Sequence, residues 1–273
     1  DDIKIYNEKY KKDFNKFYKE YDKKSLLLQK LYESSCKIIA MLFKLINSKG
    51  PCIIYSNYVK MEGLQVIKIY LESLGFSDYN DDKKSTFTYT EYHGAIKNIE
   101  ERENNRKNFN DIKNIKGDMI KVILISPAGS EGISLLNVRE VHILEPYWNE
   151  IRIEQLIGRA VRQCSHKDLP MEERYVDIYR YKSIKKNNDI TTDQKIEQLS
   201  LEKKKLIGTF LTLVKQSAVD CDLLKNVNMI EEKYQCFKFE EPKLFETNIG
   251  PAFKEDDYID KNNDNGLNST NSI

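Results

Sequence analysis

The sequence is poor in the residues that staple, ligate or span. Its five cysteines, Cys36, Cys52, Cys164, Cys221 and Cys236, include no CxxC pair. That spacing argues against a disulfide framework and for a reducing, intracellular compartment. The three histidines, His93, His142 and His166, show no ligand spacing. Zinc asks for about four donors, so no metal site is expected. No run reaches the ~18 apolar residues of a membrane span, and no membrane partner is expected. A charge surplus is missing too: 44 basic residues face 43 acidic ones. Any hold on nucleic acid must therefore come from a local patch rather than from bulk charge. No Gly-x-Ser-x-Gly nucleophile elbow occurs. No Gly-Lys pair occurs either, which excludes a GxxxxGK[ST] loop for nucleotide phosphates and Mg2+. An Asp-Glu-x-His or Asp-Glu-x-Asp metal box is likewise absent. The chain opens on Asp1-Asp2-Ile3-Lys4, with neither Met nor a signal peptide, as a piece of a longer protein would.

What is present is a chain of 273 residues, 40% apolar and 32% charged, enough for one good-sized core with appendages. Residues 1–49 read as a helical connector. Within it 25–48 is a helix with Leu27, Leu31, Ile38, Met41, Leu42 and Leu45 at helical spacing, Ser25 as a cap and Lys49-Gly50-Pro51 as a stop. Strand and helix patterns then alternate. Strands are expected at 52–55, 86–90, 121–125, 141–144 and 175–181, and helices at 59–74, 95–109 and 151–162. Strands separated by helices imply right-handed crossovers, and apolar runs such as 122–125 fit strands buried on both faces. The fold class is therefore α/β, a doubly wound, mainly parallel sheet over 50–183 with helical extensions at both ends. Residues 184–254 read as a helical extension whose long helix, 191–219, gathers Leu199, Leu206, Phe210, Leu213 and Val214 on one side. Residues 255–273 read as a disordered tail. Within it Asn268-Ser269-Thr270 is a chance glycosylation match.

Two segments carry chemistry. Residues 126–136, Ser-Pro-Ala-Gly-Ser-Glu-Gly-Ile-Ser-Leu-Leu, follow the strongest strand, and ligands bind at the carboxyl ends of strands in open α/β sheets. Gly129 and Gly132 permit close backbone approach. Ser126, Ser130 and Ser134 add small donors, and exposed amides there suit phosphate. Alone, the segment is equally an ordinary Gly/Ser turn. In 155–162, Gln155, Arg159 and Arg162 share one face if the helix runs through 162. Gly158 costs a helix roughly 1 kcal/mol against Ala, which makes sense if something passes close by. Paired guanidiniums suit a phosphate of growing charge. Alone, this segment fits a surface helix with salt-bridged arginines just as well.

In this order, with a strand between them, the two segments resemble motifs V and VI of superfamily 2 helicases. Pro51-Cys-Ile-Ile-Tyr-Ser56 with its following helix resembles motif IV. Tyr92-His93-Gly94 leading to Phe109-Asn110 resembles the family's helix ending in Phe-Asn, and Trp148-Asn149 resembles a pair in Swi/Snf-type translocases. Glu145-Pro-Tyr-Trp-Asn-Glu150, Gly158-Arg-Ala-Val-Arg-Gln163 and Ser217-Ala-Val-Asp-Cys221 are similar to the helicase-like ATPases of nucleocytoplasmic large DNA viruses, including poxvirus transcription ATPases.

The resemblance implies the second, RecA-like lobe of an ATP-dependent helicase or translocase. Arg159 and Arg162 would be arginine fingers at the γ-phosphate, and Gln155 would link nucleotide state to lobe closure. Glu131, Gly132 and Gly158 would lie at the nucleotide side. Ser56, Asn57, Ser126, Gly129 and Ser130 would touch the nucleic-acid backbone. Trp148 would brace the lobe interface or simply pack. ATP and Mg2+ would be held mainly by an N-terminal RecA-like lobe absent here, so this chain alone is expected to be inactive. The implied partners are nucleic acid, with DNA favoured over RNA, that first lobe, and transcription machinery. The implied location is a viral factory, virion or host cytoplasm. A different class of reading stays open: a non-catalytic nucleic-acid-binding or scaffold module with a helicase-like fold.

Overall fold

The computed structural model describes residues 24–60, 63–82, 87–127, 132–185, 187, 189–229 and 234–237. The connector reading of residues 1–23 and the disordered-tail reading of 255–273, with Asn268, lie outside them. The chain divides into two compact units, Asp1–Lys204 and Lys205–Ile273.

Among the described residues, the first unit is built on six strands: β1 (Cys52–Tyr55), β2 (Ser77–Asp78), β3 (Thr88–Tyr92), β4 (Val122–Ile125), β5 (Glu140–Ile143) and β6 (Asp177–Arg180). Their order is β2-β3-β4-β1-β5-β6, and every pairing is parallel. β1, β4 and β5 are buried along their whole length. Successive side chains point to opposite faces, so each central strand feeds two cores. Cys52, Ile54, Val122 and Leu124 pack with residues of α1 (Lys24–Ser34), α2 (Cys36–Ile46) and α3 (Leu64–Ser73). Ile53, Tyr55, Ile123, Ile125, Val141 and Ile143 pack with residues of α4 (Ile99–Phe109) and α5 (Glu150–Ala160). Helices on both faces of a parallel sheet are the doubly wound α/β architecture expected from the sequence.

The helix expected over 25–48 is two helices. Ser35 is extended, with φ −155° and ψ 93°, and its side chain caps α2 by accepting from the Ile38 N–H. Ser25 lies inside α1 rather than before it. α3 starts at Leu64, not at Val59. α4 starts at Ile99, where Asn98 accepts from the N–H groups of Glu100 and Glu101. The expected strand 86–90 sits two residues further on, at 88–92, and β2 was not anticipated.

The second unit holds the end of α6 (Thr192–Ser217) and the short α7 (Lys225–Asn228). Leu206, Phe210, Leu213 and Val214 of α6 are exposed. Cys221 and Cys236 are joined by a disulfide. This corrects the expectation of no pairing and removes the ground on which a reducing compartment was inferred. Local CxxC spacing does not test a pair separated by fifteen residues. No helix among the described residues is long and apolar enough to cross a membrane.

Candidate functional site: the carboxyl edge of the sheet

The chain leaves β1 toward β2 and β3 on one side, and leaves β5 toward β6 on the other. Such divergence opens a crevice at the carboxyl ends of the two strands, where doubly wound folds bind ligands. Ser56 and Asn57 follow β1, the 126–136 segment follows β4, and residues 144–149 lead from β5 into α5.

Glu145 closes the β1–β5 crevice. Its carboxylate accepts from the Ser56 hydroxyl and from the Asn57 N–H, both at 3.1 Å. Ser56 Oγ also accepts from the Tyr58 N–H at 3.2 Å. Ser56 is wholly buried. Its hydroxyl therefore shapes this turn and is not presented to a nucleic-acid backbone. Asn57 is only half-buried, and its amide donates to the Pro146 carbonyl. Burial raises the Glu145 pKa above the ordinary carboxylate value, against the pull of the Asn57 N–H, Lys37 and Ser56. Glu145 was quoted in the sequence only as part of a likeness. Its partners lie 88 and 89 residues away, so no local signal could assign it this role.

Asn149 caps α5, accepting from the Ile151 N–H at 3.1 Å. Caps of this kind contribute typically ~1 kcal/mol. Trp148, just before it, is half exposed, with the Lys203 ammonium 4.4 Å from its ring centroid. On α5, Ile153, Leu156 and Ala160 face the core, while Gln155 is exposed.

The helix ends at Ala160, because Val161 turns out of helical geometry at φ −105° and ψ 60°. Arg162 therefore does not share a helical face with Gln155 and Arg159, as the spacing had suggested. It is exposed beyond the helix, and its Nη1 donates to Ser134 Oγ at 2.6 Å. Arg159 is half-buried, and its Nε is buried without a hydrogen-bond partner. Among the described residues neither arginine is in an ion pair. The reading of two salt-bridged surface arginines therefore finds no support there.

The segment 134–136 joins these pieces. The Leu135 N–H donates to the Arg159 carbonyl at 3.2 Å. On its other side Asn110, just past α4, donates to the Ser134 carbonyl and accepts from the Leu136 N–H, each at 2.9 Å. Asn110 is thus a positioning residue for both arginines, and the Phe-Asn likeness marked it without giving the reason. Below them, His166 is buried between Ser165 Oγ at 2.8 Å and the Val138 carbonyl at 2.7 Å. It acts as a satisfied structural histidine.

Gly132 is exposed, with φ +78°. That angle alone explains a glycine there. Gly158 is different: a Cβ would meet nothing within 4 Å. Among the described residues no neighbouring group passes close to that position. Ser126 is buried. Gly129, Ser130 and Glu131 lie outside the described residues.

The edge thus offers two guanidiniums without ion-pair partners among the described residues, and an exposed amide, on one scaffold. That is a recognition surface for a multiply charged oxyanion. Among the described residues, the carboxylate nearest the crevice, Glu145, is already bonded to Ser56 and Asn57.

Residues 33–164 match the family described as helicase conserved C-terminal domain. A protein of Acanthamoeba polyphaga mimivirus, named for ATP-dependent RNA helicase activity, is 48% identical over 95% of this chain and 32% of its own length. Nucleoside triphosphatase I of Heliothis armigera entomopoxvirus is 34% identical over 80% of this chain and 30% of its own. The C-terminal part of the Fun30 ATPase domain aligns at a TM-score of 0.43 and 21% identity, over 60% of this chain and 45% of that one. The chain spans about a third of the length of the curated relatives it matches.

Proposed function

Since this chain belongs, through residues 33–164, to the helicase conserved C-terminal domain family, we propose that it is the second motor lobe of an ATP-driven nucleic-acid helicase or translocase. The observation that carries the proposal is the pair of arginines without ion-pair partners at the carboxyl edge of the sheet. A buried guanidinium nitrogen without a partner is costly to keep. Its retention is accounted for by an anion that arrives from outside the chain.

In this reading the anion is the γ-phosphate of ATP. A first lobe with a P-loop holds the nucleotide and Mg2+, and Mg2+ there neutralises phosphate charge. Arg159 and Arg162 close on the γ-phosphate and stabilise the charge that builds during transfer to water. Arginines in this role contribute ~10³–10⁵ in rate in some nucleotide hydrolases. Gln155, one turn earlier, reports nucleotide state to the closing lobes. Glu131 and Gly132 link the nucleotide side to the strand-binding side. Asn57, Gly129 and Ser130 meet the nucleic-acid backbone, while Ser56 shapes its loop from within and Ser126 is buried. The relatives' names mention RNA helicase and nucleoside triphosphatase activities, which supports a nucleic-acid-dependent ATPase without choosing DNA or RNA. The proposal extends to a role in viral transcription or DNA processing.

The test is Arg159→Ala in a protein that carries both lobes. Nucleic-acid-stimulated ATP turnover should fall at least ~100-fold by loss of charge stabilisation in the transition state. Nucleic-acid affinity should change little. Unchanged turnover removes the finger assignment.

A further inference from the structure

The amino-terminal end of the sheet, opposite the arginines, holds a second polar cluster. Cys52 opens β1 and Glu140 opens β5, and the two are register partners. His142 pairs with Ile54 one step along, so Cys52, Glu140 and His142 point to the same face. The thiol, a carboxylate oxygen and an imidazole nitrogen lie within 4.8 Å of one another, and all three residues are buried.

His142 is 0% exposed, and its Nε2 faces Glu140 Oε2 at 3.0 Å. Neither atom is in a hydrogen bond among the described residues, although the two stand at ion-pair distance. Buried polar atoms are paired in the great majority of cases, and an orphan costs on the order of 1–3 kcal/mol. Two orphans facing each other call for a common partner. The other ring nitrogen, Nδ1, is 3.0 Å from the Tyr181 hydroxyl, and the ring stacks between Tyr179 and Tyr181 at 5.2 and 5.9 Å. When Nδ1–H donates to Tyr181, the Nε2 lone pair is aimed at Glu140. An outer hydrogen bond that fixes the tautomer is how ligating histidines are held.

We propose that Cys52, Glu140 and His142 form a binding site for a borderline transition-metal dication of the zinc class, clamping β1 to β5 at the end of the sheet away from the arginines. The donor set selects the ion: thiolate and imidazole favour zinc over magnesium or calcium, which take oxygen donors. Donors ~2.0–2.3 Å from zinc stand roughly 3–4 Å from one another, and these three ligand atoms already lie within 4.8 Å of one another. Binding displaces the thiol proton to solvent, and the carboxylate and the Nε2 lone pair complete a three-residue set. The fourth position is left to water. Glu140, 8% exposed, is the member nearest to solvent. No local sequence pattern marks the cluster, because Glu140 and His142 lie 88 and 90 positions from Cys52 and meet it only through strand pairing.

The experiment is cobalt substitution in the full chain. After chelation and removal of the chelator, Co2+ is titrated and followed by visible and near-ultraviolet absorption. One equivalent should give tetrahedral d–d bands with a thiolate-to-cobalt charge-transfer band, and Zn2+ should bleach both. Cys52→Ser should lose the charge-transfer band, while Cys36→Ser and Cys164→Ser, which alter exposed thiols, should keep it. Glu140→Gln should weaken Co2+ binding at least ~10-fold and serves if Cys52→Ser does not fold. Absence of stoichiometric uptake, or a charge-transfer band that survives in Cys52→Ser, overturns the proposal. His142 and Glu140 would then simply be a buried side-chain pair in direct contact.

Discussion

Arg159 and Arg162 sit three positions apart, yet the fold holds them differently. Arg159 leaves the last turn of α5, where its carbonyl is pinned by the Leu135 N–H. Arg162 stands beyond the helix, with its guanidinium bonded to Ser134. Asn110 braces the segment they share. Asn110→Ala would leave the Ser134 carbonyl and the Leu136 N–H without their partner. We expect a loss of about 1–3 kcal/mol, read as a lower midpoint in urea unfolding. An unchanged midpoint would show that the bracing role is wrong. The sequence supplied the right residue types here but not their setting. Nothing between Ala160 and Arg162 signals a helix end, since neither Gly nor Pro stands there. Ser56 reads as a contact because it follows a strand, but it is buried and bonded to Glu145, far along the chain.

Among elements, the buried central strands were legible because continuous apolar runs leave little choice. Cys52–Tyr55, Val122–Ile125 and Glu140–Ile143 stand within one residue of where the pattern put them. β2 was not legible. Its two residues, Ser77 and Asp78, have no apolar pattern and are strand only because β3 lies beside them. The break at Ser35 was hidden by apolar residues on both sides that keep helical spacing across it. On α5, Gly158 separates two explanations. Its Cβ position is open, so Gly158→Ala should stabilise this chain by up to about 1 kcal/mol, raising its thermal midpoint. If the other lobe closes over this turn, the same change should lower ATP turnover in the two-lobe protein. Loss of stability in this chain would mean that the helix itself needs the glycine.

At the scale of the molecule, one parallel sheet serves as a platform with two unlike ends. The carboxyl end presents two arginines without acidic partners among the described residues, and the amino end buries a thiol, a carboxylate and an imidazole. Architecture was readable from the alternation of patterns, which restricts a chain of this size to few topologies. The disulfide was not, since Cys221 and Cys236 are brought together by tertiary structure. The central claim is that the carboxyl end is half of an active site, completed only when another lobe closes on it. Its most direct test is steady-state ATP hydrolysis by the purified 273-residue chain with saturating nucleic acid, set beside a protein that carries a P-loop lobe as well. The account predicts no turnover above background for the chain alone and robust turnover for the two-lobe protein. Strong turnover by the chain alone would contradict it.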